Sequence, residues 1–204
     1  MNKFWLACVL WAAGLSVAGA QQEAAAGSAT TTGNGGPHAY IGADYGFMQL
    51  QVNRSSAAGD IPQGHYFGRL VDFRAGVRVH DMVEIEAHVG MNASGATANH
   101  FGFSRYYALF AVPTATMFDT VELSVPMGYV WSGARARGAR ASLNSVAFGA
   151  NLAVPVRVLL PTLPDVRIVG GGLVSVQRSN AQIYGFHLGL RYDFGLGFLG
   201  RLGG

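Results

Sequence analysis

The chain has 204 residues, of which half are hydrophobic, and a formal net charge of +3. Its only cysteine, Cys8, lies near the N-terminus, so disulfide and thiolate chemistry are excluded from the rest of the chain. Setting aside Lys3 from the 14 basic residues leaves 13 arginines against 11 acidic residues. This near balance excludes general binding to nucleic acids.

The N-terminus predicts a secretory signal peptide at residues 1–20. Asn2-Lys3 precede an apolar run over 4–15, and small residues follow up to Ala20. The run is shorter than the roughly 20 residues that span a bilayer, which favours cleavage over a membrane anchor. Residues 21–36 are small, polar and without period, and they predict a flexible leader.

The remaining chain, 37–204, predicts β-strands. In YGFHLGLRYDFGLGF, residues 184–198, every even position is large and apolar, whereas the odd positions are Gly, His, Arg or Asp. A period of two is a strand signal because successive side chains point to opposite faces. Eight such segments are predicted: 39–52, 66–79, 83–92, 104–117, 120–132, 143–160, 166–178 and 182–194. Tight connections alternate with longer ones at 53–65, 93–103 and 133–142, which is typical of a transmembrane barrel.

One face of these strands collects six acidic residues and five arginines. They are Asp44, Asp72, Arg74, Arg78, Glu84, Glu86, Glu122, Arg157, Arg167, Arg191 and Asp193. Each charge facing lipid near the midplane would cost about 2–4 kcal/mol. The interior of an eight-stranded barrel is just wide enough for side chains to fill. The pattern therefore predicts an all-β, eight-stranded antiparallel transmembrane β-barrel with a lumen plugged by ion pairs.

The register of one hairpin follows from its turn. A three-residue turn at 80–82 would place Arg78 opposite Glu84, with Arg74 diagonal to Glu86. Because arginines would hold these carboxylates ionised, we interpret them as structural rather than as an acid/base pair. His88 and His187 are interpreted as hydrogen-bond partners in the lumen, and no metal or cofactor is predicted.

The last strand also carries a family resemblance. Gly189-Leu190-Arg191-Tyr192-Asp193-Phe194 resembles the C-terminal assembly signal of the eight-stranded outer-membrane barrels that include opacity proteins and the transmembrane domain of outer-membrane protein A. The segment 40–46 and the hairpin 73–87 resemble the family's first strand and first hairpin. Family members usually stop at the terminal aromatic residue, whereas here a short tail follows, starting between 194 and 198.

The resemblance implies a location in the outer membrane of a Gram-negative bacterium. It implies outer-membrane lipid and lipopolysaccharide as surroundings, with the leader and the short turns in the periplasm. It also implies that the barrel-assembly machinery recognises Gly189, Tyr192 and Phe194. Gly189 points into the lumen, so Gly189→Ser is expected to be mild.

The longer loops supply the candidate surface contacts. Arg135, Arg137 and Arg140 lie in a stretch without acidic residues, 133–142, which we expect to be a flexible loop. Guanidinium groups form bidentate contacts with phosphate or carboxylate. The expected partners are lipopolysaccharide phosphates or an anionic host or matrix surface. The predicted function is a non-enzymatic barrel that contributes to envelope integrity, with surface adhesion as a further role.

Two alternatives from other classes remain open at this stage. A lipid A-modifying enzyme would need a serine and a histidine near the outer leaflet, and the candidates are His100 and Ser104, beside which the sequence offers no nearby acid. A soluble periplasmic ligand-binding barrel would reverse the two faces, with charges outside and bulky residues inside.

Overall fold

The computed structural model describes residues 38–53, 61–93, 100–118, 120–158, 165–177 and 181–195. All of them lie in one compact unit, Gly36–Gly204. The predicted signal peptide, the leader and the tail from residue 196 onward lie outside the described residues and stay predictions. Among the described residues, no helix has the length and apolar character needed to cross a membrane.

The described chain is almost entirely antiparallel β-structure. Its strands are β1 (His38–Val52), β2 (Gly64–His80), β3 (Val83–Asn92), β4 (Phe101–Met117), β5 (Val121–Ser124), β6 (Met127–Ala136), β7 (Ala139–Ser142), β8 (Ser145–Pro155), β9 (Val166–Gln177) and β10 (Ala181–Gly195). One short 3₁₀ turn, Val156–Val158, follows β8. The alternation of burial along these strands matches the period of two in the sequence.

These ten segments form eight strands of a closed barrel. β5 and β6 pair with β4 on one side and β8 on the other, so they are one strand interrupted at Val125-Pro126. β7 and β8 are one strand interrupted at Leu143-Asn144. The first and last strands pair along their full length, from His38 opposite Gly195 to Val52 opposite Ala181, which closes the sheet.

The two ends of the barrel differ. One end carries His38, Gly195, the turn at 81–82, the 3₁₀ segment Val156–Val158 and the strand ends at Met117, Val121 and Val166. Because transmembrane barrels place both termini and their short turns in the periplasm, we call this end the periplasmic rim. The opposite end carries the turn at 137–138 and the strand ends at Val52, Gly64, Asn92, Phe101, Gln177 and Ala181, and we call it the outer rim.

Most strand ends differ from the sequence prediction by up to three residues, and two stretches differ by more. The stretch 133–142 is not a flexible loop, because β6 and β7 continue as a hairpin with Arg135 opposite Arg140 and a tight turn at Arg137-Gly138. The strand predicted at 143–160 stops at Pro155. Proline has no N–H with which to continue the ladder, and the chain turns into the 3₁₀ segment there.

The outer wall of the barrel is apolar and exposed. Phe186, Leu188 and Leu190 on β10 are 73%, 64% and 55% exposed. The other exposed apolar side chains on the wall include Ile41, Phe47, Phe73, Val89, Tyr107, Leu109, Trp131, Phe148, Leu152 and Tyr192. So large a continuous apolar surface is rare on a soluble monomer, whereas it matches a wall that faces lipid. The soluble-barrel alternative is therefore wrong, because its bulky residues would point inward.

Near the outer rim the polarity of the two faces is reversed. On β1, Met48, Leu50 and Val52 are buried in the lumen, whereas the intervening Gln49 and Gln51 are on the outer face. Outside the barrel, the Gln49 side chain hydrogen-bonds the His65 ring at 3.0 Å. The outer end of the barrel therefore has an apolar interior and a polar exterior, and the lipid-facing wall ends below it.

Replacement of Leu188 by arginine tests the orientation of the wall. Leu188 lies at the middle of β10 and faces outward, so Leu188→Arg is expected to cost about 2–4 kcal/mol or to prevent insertion. Gln182→Arg is the matched control, because Gln182 lies on the same face of β10 at the outer rim. The measurement is the amount of heat-modifiable protein in the membrane fraction. Normal folding of Leu188→Arg would contradict the assigned faces.

Candidate functional site

The lumen brings together ten of the eleven charges predicted for it. Each of the ten makes an ion pair with another side chain of the interior. They lie in the periplasmic half of the barrel and form two clusters, which share Tyr40 as a common neighbour. The prediction that Arg78 lies opposite Glu84 is confirmed by the register of β2 and β3. The predicted three-residue turn at 80–82 is wrong, because His80 pairs with Val83 across a two-residue turn and the register shifts between Arg78 and His80.

Arg191 is the centre of the first cluster, which we call the periplasmic cluster. Its guanidinium donates to Glu84 at 3.1 Å, to Glu122 at 2.8 Å and to Asp193 at 2.7 Å. It also stacks over the ring of Tyr40, with its central carbon 3.7 Å from the ring centroid. Because Glu84 and Glu122 come from β3 and β5, Arg191 links three strands across the lumen.

Two further arginines complete the periplasmic cluster. Arg78 donates to Glu84 at 2.5 Å and to Glu122 at 2.9 Å. Arg167 donates to Asp193 at 2.8 Å and lies 3.7 Å from Glu122. The cluster contains three arginines and three carboxylates, so its charges balance. Buried ions are tolerated when they are paired and hydrogen-bonded in this way.

The second cluster lies nearer the middle of the barrel, and we call it the central cluster. Arg74 donates to Asp44 at 2.7 Å and lies 3.9 Å from Glu86, which also accepts a 2.6 Å hydrogen bond from the Tyr40 hydroxyl. The ring of His88 bridges two carboxylates, with Nδ1 2.5 Å from Asp72 and Nε2 3.3 Å from Glu86. Both ring nitrogens can donate only when the imidazole is protonated, so this geometry fits an imidazolium.

Arg157 does not join the interior charges. Its side chain is 62% exposed and lies 3.7 Å from Asp165, which is also exposed, at the periplasmic rim. The sequence prediction placed Arg157 in the lumen because it extended the alternation of β8 beyond the end of that strand. The strand ends at Pro155, so the period of two no longer applies at Arg157.

An apolar plug fills the outer half of the lumen, and the sequence analysis did not predict it. Its largest fully buried members are Leu50, Val52, Ile61, Tyr66, Leu70, Phe101 and Leu143. The same apolar cluster continues beside the ionic clusters through Phe110 and Val112, which lie opposite Glu86 and Glu84, and through Val130. Aromatic rings in it meet edge to face, as with Phe101 and Phe103 at 4.9 Å between centroids. A signal was present, since Met48, Leu50 and Val52 continue the inward positions of β1, but attention to charges alone missed it.

On the outer wall, three arginines form a group that we call the arginine wall. Arg135 on β6 lies directly opposite Arg140 on β7, and Arg105 on β4 donates to Ser142 on β7 at 3.0 Å. All three are exposed and point away from the barrel axis. Arg135 and Arg140 alternate with inward-facing neighbours, and Arg105 follows a bulge at Ser104 and precedes the inward-facing Tyr106. Arg105 was not singled out from the sequence. Its outward position in the alternation of β4 was the available signal.

Aromatic residues lie directly next to the arginine wall on the same outer face. Tyr107 is two residues along β4 from Arg105 and lies opposite Trp131 in the β4–β6 register. Trp131 meets Tyr129 edge to face at 4.9 Å. Aromatic residues form girdles at the boundary between the apolar band and the polar surface of transmembrane barrels. The arginine wall therefore begins at the height where lipid headgroups lie.

Arg137 is separated from this group. It occupies the tip of the β6–β7 hairpin with a positive φ of 49°, and its guanidinium carbon lies 5.9 Å from the ring centroid of Tyr66 on β2. Strands β2 and β6 are not neighbours in the sheet, so this contact crosses the mouth of the barrel. The hairpin tip thus covers the apolar plug instead of presenting a free cation.

The described residues do not assemble a Ser/His/acid arrangement. His100 forms a bridge with Phe67, and Ser104 lies on the outer side of β4 next to Gly133. Every carboxylate in the described part of the chain belongs to the interior clusters or to the periplasmic rim, where Asp81 and Asp165 lie. The acid that an acyl-transfer site would need is therefore not supplied near His100 by these residues.

Comparisons with solved structures define the class of fold. The attachment invasion locus protein, Ail, of Yersinia pestis matches with a TM-score of 0.54 and 16% identity over 78% of this chain and 99% of that one. Neisserial surface protein A, NspA, matches with a TM-score of 0.51 and 16% identity over 76% of this chain and 97% of that one. The chain has the fold of the eight-stranded outer-membrane β-barrels. No protein-family model and no curated protein sequence matches it.

Replacement of Arg191 tests the pairing in the lumen. Arg191→Ala leaves three carboxylates with two arginines and is expected to cost about 3–5 kcal/mol of unfolding free energy. Arg78→Ala is expected to cost less, because its side chain is partly exposed and both of its carboxylates keep Arg191. Arg137→Ala, at the hairpin tip, is the control. Denaturant unfolding from vesicles gives the order, and equal midpoints for all three would contradict the network.

A second prediction corrects the expectation for Gly189. A Cβ at this position would lie 2.7 Å from Cα of Asp44 and closer still to the backbone oxygen of Ala43. Even Gly189→Ala is therefore expected to cost about 1–3 kcal/mol by overpacking the junction of β1 and β10. Gly195→Ala is the control, since a Cβ there meets nothing within 4 Å. Equal yields of heat-modifiable barrel would show that the junction can widen.

Proposed function

We propose that this outer-membrane barrel is a non-enzymatic protein with a closed lumen that contributes to envelope integrity by binding lipopolysaccharide phosphates. The observation that carries the proposal is the arginine wall, Arg105, Arg135 and Arg140, whose side chains point sideways from the barrel beside Tyr107 and Trp131. Groups in this position face neighbouring lipid rather than the medium above the loops.

Electrostatics support an anionic partner for the arginine wall. Like charges directly opposite each other on a sheet are destabilising, and Arg135 and Arg140 are such a pair. Among the described residues, the nearest carboxylates in the sheet lie inside the barrel or at its other end. A phosphate on the outer face would relieve this repulsion, because guanidinium groups bind phosphate through paired hydrogen bonds.

Surface adhesion is the second candidate for the same arginines. The Ail protein of Yersinia pestis was solved in complex with the heparin analogue sucrose octasulfate, and that structure matches this chain at 14% identity with a TM-score of 0.50. A sulfated host surface offers anions similar to lipid phosphates. We rank it second because the arginine wall faces sideways. Assembly through the barrel-assembly machinery, with Gly189, Tyr192 and Phe194 as its signal, is proposed from the resemblance. In the structure the rings of Tyr192 and Phe194 stack at 6.1 Å.

A charge-removing variant tests the proposed partner. Purified protein in neutral lipid vesicles is titrated with lipid A, with lipid A stripped of phosphate, and with heparin. The triple variant Arg105→Gln, Arg135→Gln and Arg140→Gln is expected to lose affinity for phosphorylated lipid A about tenfold or more and to lose the salt dependence of binding. Arg137→Gln is the matched control, since it removes one arginine of the same hairpin that lies away from the wall.

The outcomes distinguish the two candidates. Weaker binding of the triple variant to phosphorylated lipid A, with increased detergent sensitivity of cells, supports the envelope role. A loss confined to heparin would support adhesion instead. Unchanged binding to both ligands would contradict an anionic partner for the arginine wall. Release of acyl chains from lipid A by the wild-type protein would contradict the non-enzymatic assignment.

The closed lumen gives a prediction of its own. The two ionic clusters and the apolar plug together occupy the lumen from the periplasmic rim to the outer rim. We therefore expect no steady conductance when the purified protein is inserted into planar bilayers. Stable openings on the nanosiemens scale would contradict the plug. Arg191→Ala, which removes the side chain at the centre of the periplasmic cluster, is the variant in which leakage should appear first.

A further inference from the structure

An uncharged polar surface lies on the outer face of three neighbouring strands near the outer rim. β10, β1 and β2 each place two outward-facing side chains there, in two rows that run across the strands. One row is Tyr184, Gln49 and Phe67, and the other is Gln182, Gln51 and His65. We call these six residues the amide platform. The next outward residues of β1 and β10 toward the periplasm, Phe47 and Phe186, already belong to the exposed apolar wall.

The amide platform is held in place from inside the barrel. The residues that alternate with it, Leu50, Val52 and Tyr66, are at most 2% exposed and belong to the apolar plug. Directly opposite residues on one face of an antiparallel sheet have Cβ atoms about 4.5–5.5 Å apart. The two rows are therefore an ordered array of close neighbours, and its backbone cannot shift without disturbing the plug. Such a preorganised surface loses little conformational entropy when it binds a ligand.

The hydrogen-bonding groups of the amide platform both donate and accept. The Gln49 side chain is hydrogen-bonded to the His65 ring at 3.0 Å, and the Gln51 side chain donates to Asn53 at 2.9 Å. An amide has two N–H donors and a carbonyl oxygen, so each glutamine keeps further capacity to donate and accept. The two rows contain no acidic residue, lysine or arginine. A ligand that matches them is uncharged and carries groups that donate and accept, as hydroxyl groups do.

Two aromatic rings lie at the ends of one row. Phe67 and Tyr184 flank Gln49 on either side, and Phe67 is 54% exposed. Because two strand spacings separate them, their backbones lie about 10 Å apart. A pyranose ring has hydroxyl groups around its edge and C–H groups on its faces. An aromatic ring can therefore cover the face of a sugar while the amides bind its hydroxyl groups.

We propose that the amide platform binds uncharged sugar residues of neighbouring lipopolysaccharide molecules. The platform faces sideways and continues directly from the lipid-facing wall at Phe47 and Phe186. In an outer membrane, the layer beside a barrel and immediately outside the hydrocarbon consists of lipopolysaccharide sugars. This inference rests on the proposed function, because both place lipopolysaccharide beside the barrel. It concerns a different surface, because the platform and the arginine wall have no strand in common.

Titration with a sugar that carries no charge tests the amide platform. The probe is a neutral hexose oligosaccharide from a lipopolysaccharide core, prepared without phosphate or carboxylate groups. It is added to the full-length mature protein in neutral lipid vesicles, and binding is measured by NMR saturation transfer to the sugar protons. We expect binding that does not depend on salt concentration, because the six residues carry no charged side chain pair to screen. No detectable binding to the wild-type protein would overturn the proposal.

Two variants locate the binding surface. Phe67→Ala, and the double variant Gln49→Ala with Gln51→Ala, are each expected to weaken sugar binding about tenfold. Phe73→Ala is the matched control, because Phe73 lies on the same face of β2, six residues further toward the periplasm within the apolar wall. Heat modifiability shows that each variant has folded. Equal sugar affinity of Phe67→Ala and Phe73→Ala would overturn the assignment and leave Phe67 as a residue of the aromatic girdle.

Further measurements separate this surface from the arginine wall. The triple variant Arg105→Gln, Arg135→Gln and Arg140→Gln is expected to bind the neutral oligosaccharide like the wild-type protein. Phe67→Ala is expected to keep wild-type affinity for phosphorylated lipid A. Loss of sugar binding in the triple variant alone would overturn the amide platform without affecting the proposed function. Preferential binding of a neutral oligosaccharide from host glycoproteins would overturn lipopolysaccharide as the source of the sugar.

Discussion

The structure depends on the pairing of charged side chains inside the lumen. The lipid-facing wall excludes these charges from the outside of the barrel, and the narrow lumen holds them close together. Arg191, on the last strand, binds carboxylates of β3 and β5 on other walls of the barrel. Such contacts exist only when the sheet has closed with the correct register. The ionic clusters therefore form only when both closure and register are correct. A misaligned barrel would lose free energy of folding, because its buried charges would be unpaired.

The two halves of the barrel differ in which face is polar. In the periplasmic half, lipid surrounds the wall and the lumen contains the charges. In the outer half, the interior is apolar and the exterior carries glutamines and arginines, as in a soluble barrel. The arginine wall lies where these two arrangements meet. Its sideways orientation links the proposed function to the position of the lipid headgroups rather than to the tips of the loops.

Period and charge were enough to predict the eight strands, the lipid-facing side and the pairing of Arg78 with Glu84, because each depends on local alternation. Three features needed tertiary information. Arg157 lies outside the lumen because its strand ends at Pro155. Arg137 lies apart from the arginine wall because the tip of its hairpin crosses the mouth of the barrel. The expected tolerance of Gly189 is replaced by a predicted cost, because a Cβ there would lie against the backbone of the neighbouring strand.

Because β1 pairs with β10, the barrel can close only after the whole chain has been synthesised. Every other pairing in the barrel joins strands that are neighbours in sequence, whereas the pairing of β1 with β10 must wait for residues 181–195. Until then the sheet has two open edges, and open edges invite pairing with other chains. A polypeptide cut short before its last strand is thus not a smaller barrel but an aggregation hazard that proteolysis must remove.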